Sequence, residues 1–299
     1  MTDSNSLQGK VVLITGALTA VGRQLAHRLS ALGASLALVD SPSDGTGEQL
    51  SAILPTHTIY IQSDLRQQQD VRLMIEAAVL TFGHLDILVN NAHSLADETS
   101  DAEDVQRICD SIDVNFRAPV LASWVFSRYV RQAGKQGVVV NVTAMAGLVP
   151  GRGREVYGAT NAGLIHFTEA SRGRKNDVRV CALAPYYVDG LVDGGGGGRM
   201  LPGNKLGAAL TMSCEQVVEA VVRCIFDDRL DGKTVLMAGG STYTHTWAYL
   251  LARVHMFFIM LWSMLVLLFN RLVFLCRRNA ESKRTETEVE AEADSKKDA

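Results

Sequence analysis

VVLITGALTAVGRQLAHRLSALGASLALVD, residues 11–40, reads as strand, glycine turn, helix and second strand in one run. VVLIT is a continuous β-branched apolar stretch, the pattern of a strand covered on both faces. Val21, Leu25, Leu29 and Leu32 recur at helical spacing, and the helix closes on Gly33. SLALVD supplies the next strand and ends on Asp40. A glycine turn between strand and helix lets the backbone approach a pyrophosphate at the positive end of the helix. Gly16 and Gly22 follow Thr15 in this turn, while Ala20 stands where a middle glycine is usual. Asp40 falls 24 residues after Gly16 at a strand tip, where a carboxylate accepts from ribose hydroxyls and repels a 2′-phosphate. These residues predict a dinucleotide site favouring NAD(H). A tight turn with no ligand is the competing reading.

The alternation continues outward. HTIYIQSD, LDILVNN, GVVVNVTA, VRVCALAP and KTVLMAGG read as strands. QDVRLMIEAAVLTFG, a long stretch over 102–134, residues 156–171 and CEQVVEAVVRCIFDD read as the helices between them. This rhythm predicts an α/β fold, a doubly wound parallel sheet of the Rossmann type, occupying residues 8–241 after a polar N-terminus at 1–7. DGGGGGRMLPGNKLG, from Asp193, has no periodicity and lies where a substrate-covering loop is expected.

After a linker at 242–253 come 23 residues, 254–276, broken only by a few polar ones, among them Asn270 and Arg271. As a helix they span about 34 Å, enough for a bilayer core of about 30 Å. Trp247, Tyr249, Arg277 and Arg278 flank the stretch as interface residues do. The expectation is a C-terminal transmembrane helix, with a charged, disordered tail at 277–299. The N-terminus does not read as a signal peptide, so the domain is expected in the cytosol. The anchor would then enter the endoplasmic reticulum or outer mitochondrial membrane from its C-terminal end.

An apolar fraction of 47% and a net charge of −3 fit a globular chain and give no reason to expect nucleic acid as a partner. The five cysteines are widely spaced and form no CxxC, which argues against a disulfide framework or a metal site. Four of them, all but Cys276, read as small core hydrophobes.

Further motifs carry a resemblance. Asp64 lies in SDL, Asn90 to His93 spell NNAH, Asn115 lies in DVNF, and NVTAMAG precedes Tyr157. In this order, over roughly residues 8–240, the chain resembles the short-chain dehydrogenase/reductase family, and within it NAD-dependent members. The resemblance implies that Thr15, Gly16, Gly22, Asp40, Asp64, Asn91 and Tyr157 contact the cofactor, with Asp64 on the adenine side. It also implies that Tyr157 accepts the substrate proton as a phenolate and that Asn115 supports a proton-relay water.

The family's Ser and Lys are missing. Counting 13 residues back from Tyr157, or three from Gly147, places the Ser position at Ala144, and the Lys position is Asn161. Thr143 is adjacent, but neighbouring strand residues face opposite ways. Only about one free tyrosine in a thousand is ionised at pH 7, and moving its pKa from ~10 to ~7 takes about 4 kcal/mol. Losing an oxyanion donor costs a further ~10²–10³ in rate. His93 replaces a glycine near the cofactor, where it reads as a loop-lining residue or a replacement base. Tyr186 adds bulk where the nicotinamide would dock. The helix after Asn161 reads as about one turn short, which places the family's dimer interface in question.

The reading is a membrane-anchored, NAD(H)-binding member of this family with its usual activity weak or lost. Two others stay open. One is a working NAD-dependent dehydrogenase of a lipid-like secondary alcohol with a rearranged site, and the other a scaffold subunit that binds no nucleotide.

Overall fold

Every residue of β1 (Val11–Thr15) is buried, as a strand covered on both faces requires. The computed structural model describes residues 6–94, 104–151, 153–172, 177–188, 211–238 and 241–244. Alternate residues of β1 feed two separate cores. Val12 and Ile14 pack in one cluster with Leu25 and Leu29 of α1 (Ala20–Ala31) and with Val221 of α7 (Cys214–Phe226). Val11 and Leu13 pack in the other with Met74 and Ile75 of α3 (Gln68–Phe82) and Phe126 of α5 (Ala118–Gln132).

Among the described residues the sheet has eight strands. β3 (Thr58–Gln62), β2 (Ser35–Asp40), β1, β4 (Ile87–Asn90), β5 (Gly137–Val142), β6 (Val178–Pro185) and β9 (Thr234–Ala238) run parallel in that spatial order. From β1 the chain steps outward to β2 and β3, then crosses back to lay β4 on β1's other side. Ile14 thus pairs with Leu38 in one direction and Val89 in the other. This reversal opens a crevice beyond the carboxyl ends of β1 and β4, where open α/β sheets take their ligands.

The structure departs from the sequence reading in several places. β10 (Ser241–Thr244) closes the β9 edge antiparallel, so the sheet is not wholly parallel and the linker expected from 242 begins inside a strand. A short helix, α2 (Thr46–Ile53), and a two-residue pair, β7 (Tyr187–Val188) with β8 (Thr211–Met212), were not anticipated. Cys109 is exposed rather than in the core, while Cys181, Cys214 and Cys224 are buried.

The stretch 102–134 is not one regular helix. It comprises α4 (Asp104–Ile112), a π-helical turn over Asp113–Arg117, and α5. Pro119 accounts for the turn: it has no N–H for the Asn115 carbonyl four residues back, and its ring crowds that oxygen. Ala118 N–H bonds instead to the Asp113 carbonyl, five residues back.

Among the described residues no helix is long and apolar enough to cross a membrane. The stretch 254–276, the tail 277–299 and the glycine-rich segment from Asp193 all lie outside the described residues.

Candidate functional site

The glycine turn is held from several sides. Gly16 has a φ of +64°, and a Cβ there would come within 2.7 Å of the Ala92 Cα. A Cβ on Gly22 would lie 2.1 Å from the Gly16 carbonyl oxygen. Thr19 caps α1, its Oγ1 accepting from Gly22 N–H at 3.1 Å and donating to Gly16 O at 2.8 Å. The Thr15 hydroxyl accepts from Asn91 N–H at 3.1 Å and Ala92 N–H at 3.2 Å. Asn91 Nδ2 in turn donates to Thr15 O and Gly16 O at 3.1 and 3.0 Å.

Thr15 and Asn91 therefore clamp the turn to the loop after β4. Asn91 Oδ1 is buried with no partner among the described residues, and Asn91 is one of the residues that line the crevice. An orphaned acceptor beside a cradle that a Cβ would fill fits a dinucleotide. Ala20 opens α1 exposed, adding a methyl where the missing glycine would let a pyrophosphate approach most closely.

Asp40 is half-buried, with Oδ2 accepting from Leu18 N–H and Oδ1 from Ser41 N–H, both at 2.8 Å. Its carboxylate thus lies against the turn itself. Asp64 is differently committed. Arg66 Nε and Nη2 both reach its carboxylate at 2.9 Å, and Arg66 Nη1 reaches Asp110 of α4 at 3.0 Å. The guanidinium holds the Asp64 carboxyl below its usual pKa. The expected adenine-side carboxylate is paired within the protein by a partner two residues along the chain.

The reacting corner lies where β5 ends and α6 (Glu155–Ala170) begins. Ala144, Tyr157, His93 and Tyr186 line one cleft, so the structure brings these four positions together. Ala144 presents a methyl where the family has a hydroxyl. Thr143 is no substitute: its Oγ1 donates to Leu183 O at 2.9 Å, and its N–H reaches the same oxygen. Asn161 is buried and turns Nδ2 onto the Tyr157 carbonyl at 2.8 Å. Burial pushes the Tyr157 phenol pKa up, outweighing the downward pulls of the Arg154 charge and the Asn161 amide.

Arg154 also lines this cleft, one helical turn before Tyr157, and the sequence reading missed it. Its spacing from Tyr157 was the available signal, since residues three apart share a helix face. Asn115 grips the loop after β4, with Oδ1 accepting from Ser94 N–H at 2.7 Å and Nδ2 donating to Ser94 O at 2.8 Å. Its side chain is thus structural, while Pro119 leaves its carbonyl without the usual helical donor.

Residues 10–194 match the family model for short chain dehydrogenase. Human 15-hydroxyprostaglandin dehydrogenase [NAD(+)] is 32% identical over 194 residues, covering 61% of this chain and 70% of that protein. 11-beta-hydroxysteroid dehydrogenase-like 6 of Arabidopsis thaliana is 33% identical over 195 residues, 62% of this chain and 55% of that one. Among solved structures, a short chain dehydrogenase from Burkholderia cenocepacia in complex with NADP superposes with a TM-score of 0.69 at 26% identity. It covers 79% of this chain and 99% of its own.

Proposed function

The chain belongs to the short-chain dehydrogenase/reductase family, and we propose that it is a membrane-anchored, NAD(H)-binding member whose tyrosine-phenolate reaction is weak or lost. The observation that carries this reading is the Tyr157 environment. A phenol pushed up by burial, beside Ala144 and an Asn161 turned onto its own helix, lacks both the charge and the hydroxyl its reaction uses. The orphaned Asn91 Oδ1 and the glycine cradle support a retained cofactor site. Asp40 supports NAD(H) over NADP(H), because its carboxylate repels a 2′-phosphate. When bound, the cofactor supplies the hydride acceptor or donor; the chain's own residues cradle it and line the cleft.

The apolar stretch 254–276 supports the anchor. Fluorescence titration with NADH, using Asp40→Ala as control, tests the first part. Saturable binding that the variant weakens supports it, and absence of binding favours a scaffold without nucleotide. Carbonate extraction of full-length chain against one ending at residue 245 tests the anchor. Membrane retention of the shortened chain overturns it.

A second reading is a working dehydrogenase of a lipid-like secondary alcohol. The likeness to human 15-hydroxyprostaglandin dehydrogenase supports the substrate class, and the placement of His93 in the cleft supports a rearranged site.

A further inference from the structure

We propose that His93 Nε2 is the proton acceptor for alcohol oxidation in this cleft, with the Tyr157 hydroxyl donating a hydrogen bond to the same substrate oxygen. The inference rests on the reading that the chain binds NAD(H).

The loop that carries His93 is pinned on both sides of it. Asn91 and Ala92 give their N–H groups to the Thr15 hydroxyl, and Ser94 is held through both its N–H and its carbonyl by the Asn115 side chain. Between these points the His93 ring lines the cleft that also holds Tyr157 and Ala144. Its Nδ1 lies 2.7 Å from the Asn91 carbonyl oxygen. A carbonyl only accepts, so Nδ1 carries the hydrogen and Nε2 the lone pair. Among the described residues the hydrogen bond of the ring is the one at Nδ1, which leaves Nε2 to face the cleft's occupant. A base oriented by a fixed acceptor behind it is the arrangement that proton abstraction uses.

Charge in the cleft favours the neutral ring. The titratable groups facing it are Tyr157 of α6, Arg154 just before that helix, Tyr186 after β6 and Tyr187 of β7. The end of β5 and the two residues after it contribute Val142, Thr143 and Ala144, while α1 and α7 contribute Val21 and Val217. No carboxylate among the described residues lines the cleft to hold an imidazolium. Burial moves the His93 pKa below its usual 6.5, while it moves the Tyr157 phenol up. Two titratable groups pushed apart in this way divide the roles: the imidazole accepts a proton at neutral pH, and the phenol keeps its own to donate.

The step balances. The carbinol C–H bond would break with its hydrogen and both electrons passing as hydride to bound NAD⁺, and the O–H bond with its proton passing to His93 Nε2. The O–H pair becomes the carbonyl π bond, so the secondary alcohol is oxidised to a ketone and NAD⁺ is reduced.

Two measurements test this on the full-length protein. Nitrogen-detected NMR of the histidines without cofactor is expected to show His93 as the Nδ1–H tautomer with a pKa below 6.5. An Nε2–H tautomer, or an imidazolium at pH 7, overturns the proposal without any substrate being needed. The second measurement follows NADH formation from 12-hydroxyoctadecanoate and NAD⁺. His93→Gln is expected to lower kcat about 10²-fold or more with KM little changed, in line with the usual worth of a general base. The wild-type kcat/KM should level off above about pH 6.5, and Tyr157→Phe should be slower yet keep that acid limb. Undiminished turnover in His93→Gln, or a wild-type profile still rising above about pH 8, overturns the proposal. Absence of wild-type turnover alongside saturable NADH binding also overturns it and leaves the cofactor reading intact, whereas absence of NADH binding removes that reading as well. If His93→Gln fails to fold, the NMR titration of the wild-type ring still decides the outcome.

Discussion

Asn161 Nδ2 donates to the Tyr157 carbonyl oxygen at 2.8 Å, at the position where the family's reaction requires an ammonium acting on the Tyr157 phenol. The amide thus stabilises its own helix and contributes only a minor downward pull on a phenol that burial pushes up. Ala144 removes the hydroxyl that would share the substrate oxygen. Ala144→Ser with Asn161→Lys is therefore expected to raise turnover of a secondary alcohol by ~10²–10³, the usual worth of one oxyanion donor, with the added charge contributing further. Adding Tyr157→Phe to that pair should abolish the gain. The new ammonium sits at a buried position, so the melting temperature should fall. A steady-state rate unchanged by the pair would mean that Tyr157 does not lie where the substrate oxygen binds.

Thr143 lies next to the vacant Ser position, yet its hydroxyl is spent on Leu183. Thr143→Val removes that bond, but Leu183 O keeps the Thr143 N–H at 2.7 Å and is not orphaned. The expected cost is about 1 kcal/mol or less, a fall of roughly 2–4 °C in melting temperature. NADH affinity and any alcohol turnover should not change. A selective loss of turnover, with melting unaffected, would show the hydroxyl reaching the substrate after all.

Tyr60 couples the loop after β2 to alkaline stability. Its single hydroxyl hydrogen is shared between Pro42 O at 2.6 Å and Asp40 O at 3.1 Å. Burial, then the Asp40, Glu48 and Asp44 charges, push its pKa up to about 12 from 10.0. A raised pKa means the folded state favours the protonated phenol. Its contribution is complete below pH 10 and is lost as the pH climbs toward 12. Tyr60→Phe should melt lower than wild type near pH 8, through loss of the shared hydroxyl donor, with the gap narrowing above pH 10. A gap constant from pH 8 to 12 would show that Tyr60 titrates as it does in the unfolded chain.

The central fold was legible because its signals are collective. β1 is buried along its whole length and β2 along all but its two end residues, and no single contact is needed to read VVLIT or SLALVD. Where one contact decides, the sequence was silent. α2 buries only Gly47 and Leu50, and a Cβ on Gly47 would lie 2.3 Å from the Tyr60 ring, a packing no periodicity encodes. The π-helical turn depends on Pro119 meeting the carbonyl of Asn115, and a pattern of apolar residues does not register it. In the site, residue types and order singled out Gly16, Asp40, Ala144 and Tyr157, and the structure sets Ala144 and Tyr157 on one cleft and Asp40 against the glycine turn. Which partner each side chain takes was hidden: Arg66 on Asp64, Leu183 on Thr143, the Asn91 carbonyl on His93.

Asp40 carries two duties that one substitution separates. Its Oδ2 holds Leu18 N–H in the glycine turn at 2.8 Å, and its charge disfavours a 2′-phosphate. Asp40→Ser removes the charge and shortens the reach to Leu18. Losing a hydrogen bond to a charged group costs about 1.5–3 kcal/mol, so the variant should melt lower and bind NADH more weakly. NADPH should lose less affinity than NADH, or gain, because the repulsion is gone. The ratio of the two dissociation constants is expected to shift toward NADPH by about tenfold, roughly 1.4 kcal/mol. Parallel fluorescence titrations with NADH and NADPH measure it. Equal weakening of both would place the ribose away from Asp40 and leave its carboxylate a purely structural clamp on the turn.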